Sequence, residues 1–122
     1  MATLDDIMAQ KKAAIAMLDS EIVDGLTKKN AALDEGQDEQ ADQLDHRVQG
    51  LMDQRQAVLL QAYLGALQSK EMADALNALK AATDDMNAVA QKMKTLTGFI
   101  NNAADLISAA GEVTKALKAH TA

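Results

Sequence analysis

Between positions 34 and 45 the chain carries Asp34, Glu35, Asp38, Glu39, Asp42 and Asp45 without a single base among them. Carboxylates at this density can hold a divalent cation, receive a basic partner, or simply solvate a connection between two elements. A calcium loop of the EF-hand type needs oxygen donors at alternate positions before a central glycine, and a closing glutamate. Asp34-Glu35-Gly36-Gln37-Asp38 does not have that order. No metal ligation is expected. The cluster reads as a solvated connector or as a surface for a basic partner, built from Asp34, Glu35, Asp38, Glu39 and Asp42.

The other reactive side chains are sparse. The chain has two histidines and no cysteine. His46 follows Asp42 and Asp45, but a di-iron bundle needs a Glu-x-x-His step on an inward face, and position 43 is Gln43. His46 therefore reads as a surface histidine. The chain lacks Gly-x-Ser-x-Gly, His-Glu-x-x-His and any glycine-rich phosphate loop. An enzyme is not expected, and no cofactor is implied. Met72, Met86 and Met93 share one heptad position, where methionine suits either a core or an adaptable partner-binding face. Arg55 interrupts an apolar line and reads as a rim residue, or as one half of an ion pair between helices or between molecules.

The elements that carry these residues must be helices. Proline is absent, aromatics make up 2%, and no stretch alternates polar with apolar residues for long enough to suggest a strand. Thr3 is a good N-cap, with Asp5 and Asp6 in the first turn behind it. The first helix should run over about 3–35 on a stripe of Leu4, Ile7, Met8, Ile15, Leu18, Ile22, Leu26 and Leu33. Its eleven-residue repeats predict a straight or slightly right-handed rod. Gly36 fits the position just past a helix end, so the first turn falls in the acidic stretch. A second helix follows over about 40–68, on Leu44, Val48, Leu51, Arg55, Val58, Ala62 and Ala66. Gly50 and Gly65 either weaken it or permit close approach.

From Met72 to Leu117 the pattern is heptad-like. Met72, Leu79, Met86, Met93, Ile100, Ile107 and Thr114 mark one line. Ala75, Ala82, Val89, Leu96, Ala103, Ala110 and Leu117 mark the other. This is a long helical seam with large residues opposite small ones. Its phase runs unbroken across Gly98. It predicts either one long, bent helix or two helices over about 70–96 and 98–119, with Thr97 as the cap of the second. The expected fold is all-α: one domain over 1–122, with three or four long amphipathic helices in an antiparallel bundle or an extended coiled-coil hairpin.

Charge limits the partners. Residues 1–61 hold 12 acids and 6 bases, and residues 62–122 hold 6 of each, so the whole excess of −6 lies in the first half. Such a chain is a poor nucleic-acid ligand. The segment Phe99–Leu117 is amphipathic, but its polar face is not basic enough for a lipid-binding helix. No basic-then-apolar leader opens the chain, so cytoplasmic residence is expected, with signal-independent export as the alternative. The composition and the seam predict a non-catalytic helical protein-interaction module, such as an adaptor, chaperone or toxin-neutralising partner in a bacterial setting. Its thin, alanine-rich core also predicts a homo-oligomer. The alternatives are a self-assembling structural or secreted helical component and, further off, a membrane-active one.

Overall fold

Thr3 starts the first helix as its spacing predicts. Its hydroxyl accepts from the Asp6 N–H at 3.2 Å, while the Asp6 carboxylate accepts from the Thr3 N–H at 2.9 Å. This reciprocal pair satisfies two donors that a helix start otherwise leaves open. In the computed structural model, which describes residues 3–61 and 69–119, four α-helices follow. They are α1 (Leu4–Asp34), α2 (Asp38–Leu60), α3 (Ser69–Ala90) and α4 (Leu96–Ala119). The chain is all-α, and no strand occurs among the described residues.

α1 ends on a Schellman turn. Gly36 takes φ +74°, the Gln37 N–H reaches the Ala32 carbonyl at 2.8 Å, and the Gly36 N–H reaches that of Leu33 at 3.1 Å. α2 then runs back antiparallel along α1. Lys29 pairs with Asp45, Gly25 lies against Val48, and Asp19 pairs with Arg55, so one number falls as the other rises. α3 and α4 form the second hairpin. The two hairpins lie side by side with α1 against α3 and α2 against α4, while among the described residues the backbones of α2 and α3 do not approach each other closely. Gln10 meets Thr83, and the Met17–Asp24 stretch meets Asn87–Gln91, so α1 and α3 are parallel. α2 and α4 are parallel too, because Arg47 donates to the Ile100 carbonyl and Gly50 lies against Ile107.

The core fills the space between the hairpins. Ile7, Ala14, Leu18 and Ala32 enter it from α1, and Ala41, Leu44, Val48, Leu51 and Val58 from α2. α3 supplies Ala75, Leu79, Ala82 and Met86, and α4 supplies Phe99, Ala103, Leu106, Ala110, Val113 and Leu117. The one phenylalanine is held by a glycine: a Cβ on Gly25 would stand 2.5 Å from Val48 Cγ2 and 2.6 Å from Phe99 Cζ. The ring thus crosses from α4 to reach the α1 backbone, and Lys28 Nζ lies 5.9 Å from its centroid. Gly50 does permit close approach, since its missing side chain leaves room for Ile107 Cδ1.

Three expectations about the elements need correction. α2 ends at Leu60, short of Gln68. Gln61 is extended (φ −77°, ψ 110°), and Lys11 Nζ donates to its carbonyl at 2.7 Å, taking an acceptor that a continued helix would use itself. The remainder of that expected helix, including Ala62, Gly65 and Ala66, lies outside the described residues. Of the two alternatives for the Met72–Leu117 seam, two helices hold, but their junction lies earlier than expected, at Gln91–Thr95. And Gly98 is not the break. Thr95, rather than Thr97, caps α4: its hydroxyl accepts from the Gly98 N–H at 3.0 Å, and its carbonyl accepts from the Phe99 N–H at 2.8 Å.

Candidate interaction surface

The seam between α1 and α2 is tied by three polar contacts along its length. Lys11 Nζ reaches the Gln61 carbonyl, Asp19 accepts from Arg55 Nε, and Lys29 Nζ reaches Asp45 Oδ1 at 2.8 Å. Lys29 holds the Asp45 carboxyl below its ordinary range, first by this hydrogen bond and then by its charge. Arg55 is therefore an interhelical partner of Asp19, half-exposed on the seam.

α1 carries two apolar lines. Ile7, Ala14, Leu18, Gly25 and Ala32 are buried. Leu4, Met8, Ile15, Ile22, Leu26 and Leu33 follow spacings of four and seven, which at 3.6 residues per turn keeps them within an arc of roughly 40° on a second face. Ile15 and Ile22 on this face are half-buried against the core. Leu26 is 42% exposed and Leu33 47%. On α2, Asp38, Asp45, Met52 and Leu59 are spaced by seven and share one line, acidic at one end and apolar at the other. Met52 is 46% exposed and, by the antiparallel register, lies beside this second face of α1. Among the described residues, the large apolar side chains left exposed all belong to α1 or α2.

The apolar line runs into the acidic stretch. Leu33 and Lys29 share a shallow depression of about 240 Å³ with Asp38, Ala41, Asp42 and Asp45. Asp34, Glu35, Asp38, Glu39 and Asp42 are all exposed around it. Asp38 and Glu39 sit in the first turn of α2, where the helix dipole favours negative charge. Asp34 and Glu35 close α1, where the dipole opposes it, and no base lies in that last turn. His46 is exposed, with Nε2 at 3.6 Å from Asp42 Oδ2.

The methionines do not join this surface. Met86 and Met93 are fully buried, so of the two places open to them, core or partner-binding face, it is the core that they occupy. The cause is the α3–α4 turn, which folds their line inward against α1 and α4 instead of leaving it along an open rod. Met72 is half-buried against the same core.

Two further hollows lie among the described residues. One of about 220 Å³ lies between α1 and the end of α3, lined by Met17, Ser20, Glu21, Asp24, Asn87, Ala90, Gln91, Met93 and Lys94. Glu21 Oε2 is buried there without a hydrogen-bond partner. Burial and then the Asp24 charge raise its carboxyl above the ordinary value, against a smaller opposing pull from Lys28. The other, about 370 Å³, is a groove between α3 and α4 lined by Ala78, Ala81, Ala82, Asp85, Glu112, Lys115 and Ala116. Among the described residues no three histidine, aspartate or glutamate side chains gather to hold a metal ion. No described helix is long and apolar enough to cross a membrane.

The single stripe that the sequence suggests for α1 is two lines in the structure: the eleven-residue repeats Leu4–Ile15–Leu26 and Ile22–Leu33 mark the outer one, while Ile7 and Leu18 belong to the buried one. The buried line is hard to see in the sequence because Ala14, Gly25 and Ala32 complete it, and these are only weakly apolar. No family model matches the chain, and no curated protein or solved structure matches it either.

Proposed function

We propose that this chain is a non-catalytic helical module for protein–protein interaction, acting through the outer face of its α1–α2 hairpin. The observation that carries the reading is the uneven distribution of exposed apolar surface. Leu26, Leu33 and Met52 stand open along one face of that hairpin, while the large apolar residues described on α3 and α4 are turned inward or half-covered. Single exposed aliphatic residues are ordinary, but a line of them on one face marks a contact surface. An adaptor, chaperone or neutralising partner would use such a face. The alternative, self-assembly into a structural component, would use it too.

Photo-cross-linking separates these readings. A photoreactive residue is placed at Leu26 or Met52, with Ala81 and Glu112 on the opposite hairpin as controls, in cells that make the protein. Adducts to another protein at 26 and 52, and not at 81 and 112, are expected. Adducts of twice the chain's own mass assign the face to self-assembly. Equal labelling at all four positions, or none at 26 and 52, removes the reading.

A further inference from the structure

We propose that the occupant of the α1–α2 face is a basic amphipathic helix of another protein, lying along the seam with its cationic end over the acidic turn. This rests on the interaction reading above and adds the chemistry of the partner. Apolar and acidic features are joined in one place: Leu33 and the carboxylates of Asp38, Asp42 and Asp45 line the same depression. From Ile15 to Leu33 the α1 line spans roughly 27 Å, the length of a helix of about 18 residues. A helix presenting residues at i, i+4 and i+7 can lay them on Ile22, Leu26 and Met52, as amphipathic helices do in apolar grooves.

Charge selects among occupants. Asp34 and Glu35 stand at the negative end of the α1 dipole with no base in that turn, so a cation brought there relieves an existing repulsion. Asp42 and Asp38 add to it, and of the carboxylates around Leu33 it is Asp45 that Lys29 neutralises. A second copy fits less well. In an antiparallel pair the acidic turn would face Lys11 and Lys12, but Asp5 and Asp6 share that end and offset them. In a parallel pair the acidic turns would face each other. An anionic lipid surface would be repelled by the same carboxylates.

The test uses the full chain and two synthetic 18-residue helical peptides, followed by fluorescence anisotropy. Both carry the same leucine ridge. One has four lysines at one end and the other has four glutamates there. The lysine peptide should bind at least about tenfold more tightly, and lose that advantage as salt rises. Asp38→Lys with Asp42→Lys should reverse the preference. Leu26→Gln with Met52→Gln should abolish binding of the preferred peptide. Equal affinity for both peptides overturns the inference, as does binding that ignores Leu26→Gln with Met52→Gln, or binding of neither peptide. Sedimentation of the chain alone as a dimer that Leu26→Gln with Met52→Gln dissociates also overturns it, by giving the face to a second copy. If cross-links to another protein form at positions 26 and 52 but the glutamate peptide binds equally well, the partner chemistry is wrong and the interaction reading stands. If those cross-links are absent, the interaction reading itself has failed.

Discussion

Glu21 shows how a single side chain can work against this fold. Its Oε2 is buried without a partner and its neighbour Asp24 is negative, so folding favours the protonated acid. The folded-state value is raised above the ordinary 4.5. Below that ordinary value Glu21 is neutral in both states and costs nothing. As pH rises through it, the unfolded chain ionises first and stability falls, until the penalty is complete above the raised folded value. Glu21→Gln should therefore unfold at higher urea than the parent at about pH 7, with the difference shrinking to nothing at about pH 3.5. Equal midpoints at the higher pH would show that water already relieves the carboxylate. None of this was legible from Glu21's place in the sequence, because the hollow around it is closed by Asn87, Gln91 and Met93 from a stretch more than sixty residues away. Gly25 was equally silent, yet it is the seat of Phe99.

At the scale of elements, local signals were legible and packing phase was not. Thr3 and Gly36 announced their roles because a cap and a left-handed turn depend on neighbouring residues alone. The α3–α4 turn hid behind an accident of pattern. The buried line of α3 is Leu79 and Met86, and its continuation at sevens is Met93, Ile100 and Ile107. In α4 that line gives way to Phe99, Leu106 and Val113, one residue earlier, while the seam's other line passes the turn unshifted, from buried Ala75 and Ala82 to buried Ala103, Ala110 and Leu117. The turn therefore shifts only one of the two lines, and the adjacent apolar residues Ile100 and Ile107 mask the slip. Ile100 and Ile107 pack half-buried on the flank, where Gly50 accommodates Ile107. Two glycines of α4 now make opposite predictions. A Cβ on Gly98 would overlap the Lys92 carbonyl oxygen, which is backbone and cannot swing aside. Gly98→Ala should lower stability by about 1–3 kcal/mol despite the better helix former. At Gly111 the nearest atom is Gln54 Oε1 at 3.9 Å, an ordinary contact. Gly111→Ala should raise stability by roughly 0.5–1 kcal/mol. Denaturant midpoints of the two variants check both signs, and a stabilised Gly98→Ala would show that the turn can move.

At the scale of the molecule, the two hairpins divide the labour. Nearly all of α3 and α4's apolar mass is spent inward, while α1 and α2 fill the core with one line and leave another open. The same half of the chain holds the entire charge excess of −6, so apolar and acidic surface coincide. Charge excess and helix class were legible in the sequence; the coincidence became visible only when the register placed Leu33 beside Asp38 and Asp42. If the open line belongs to the core, replacing it must damage the fold. If it is a contact surface, the fold should be indifferent. Leu26 and Met52 keep nearly half their surface in water, so Leu26→Gln with Met52→Gln should shift stability by no more than about 1 kcal/mol in total. Leu44→Ala or Leu106→Ala, each emptying a fully buried site, should cost about 2–5 kcal/mol. Urea unfolding of the three variants side by side makes the comparison. A double variant that unfolds as readily as Leu44→Ala would return Leu26 and Met52 to the core and take away the main support for an interaction face. A double variant as stable as the parent would mean that the fold does not need these side chains, as a contact face requires.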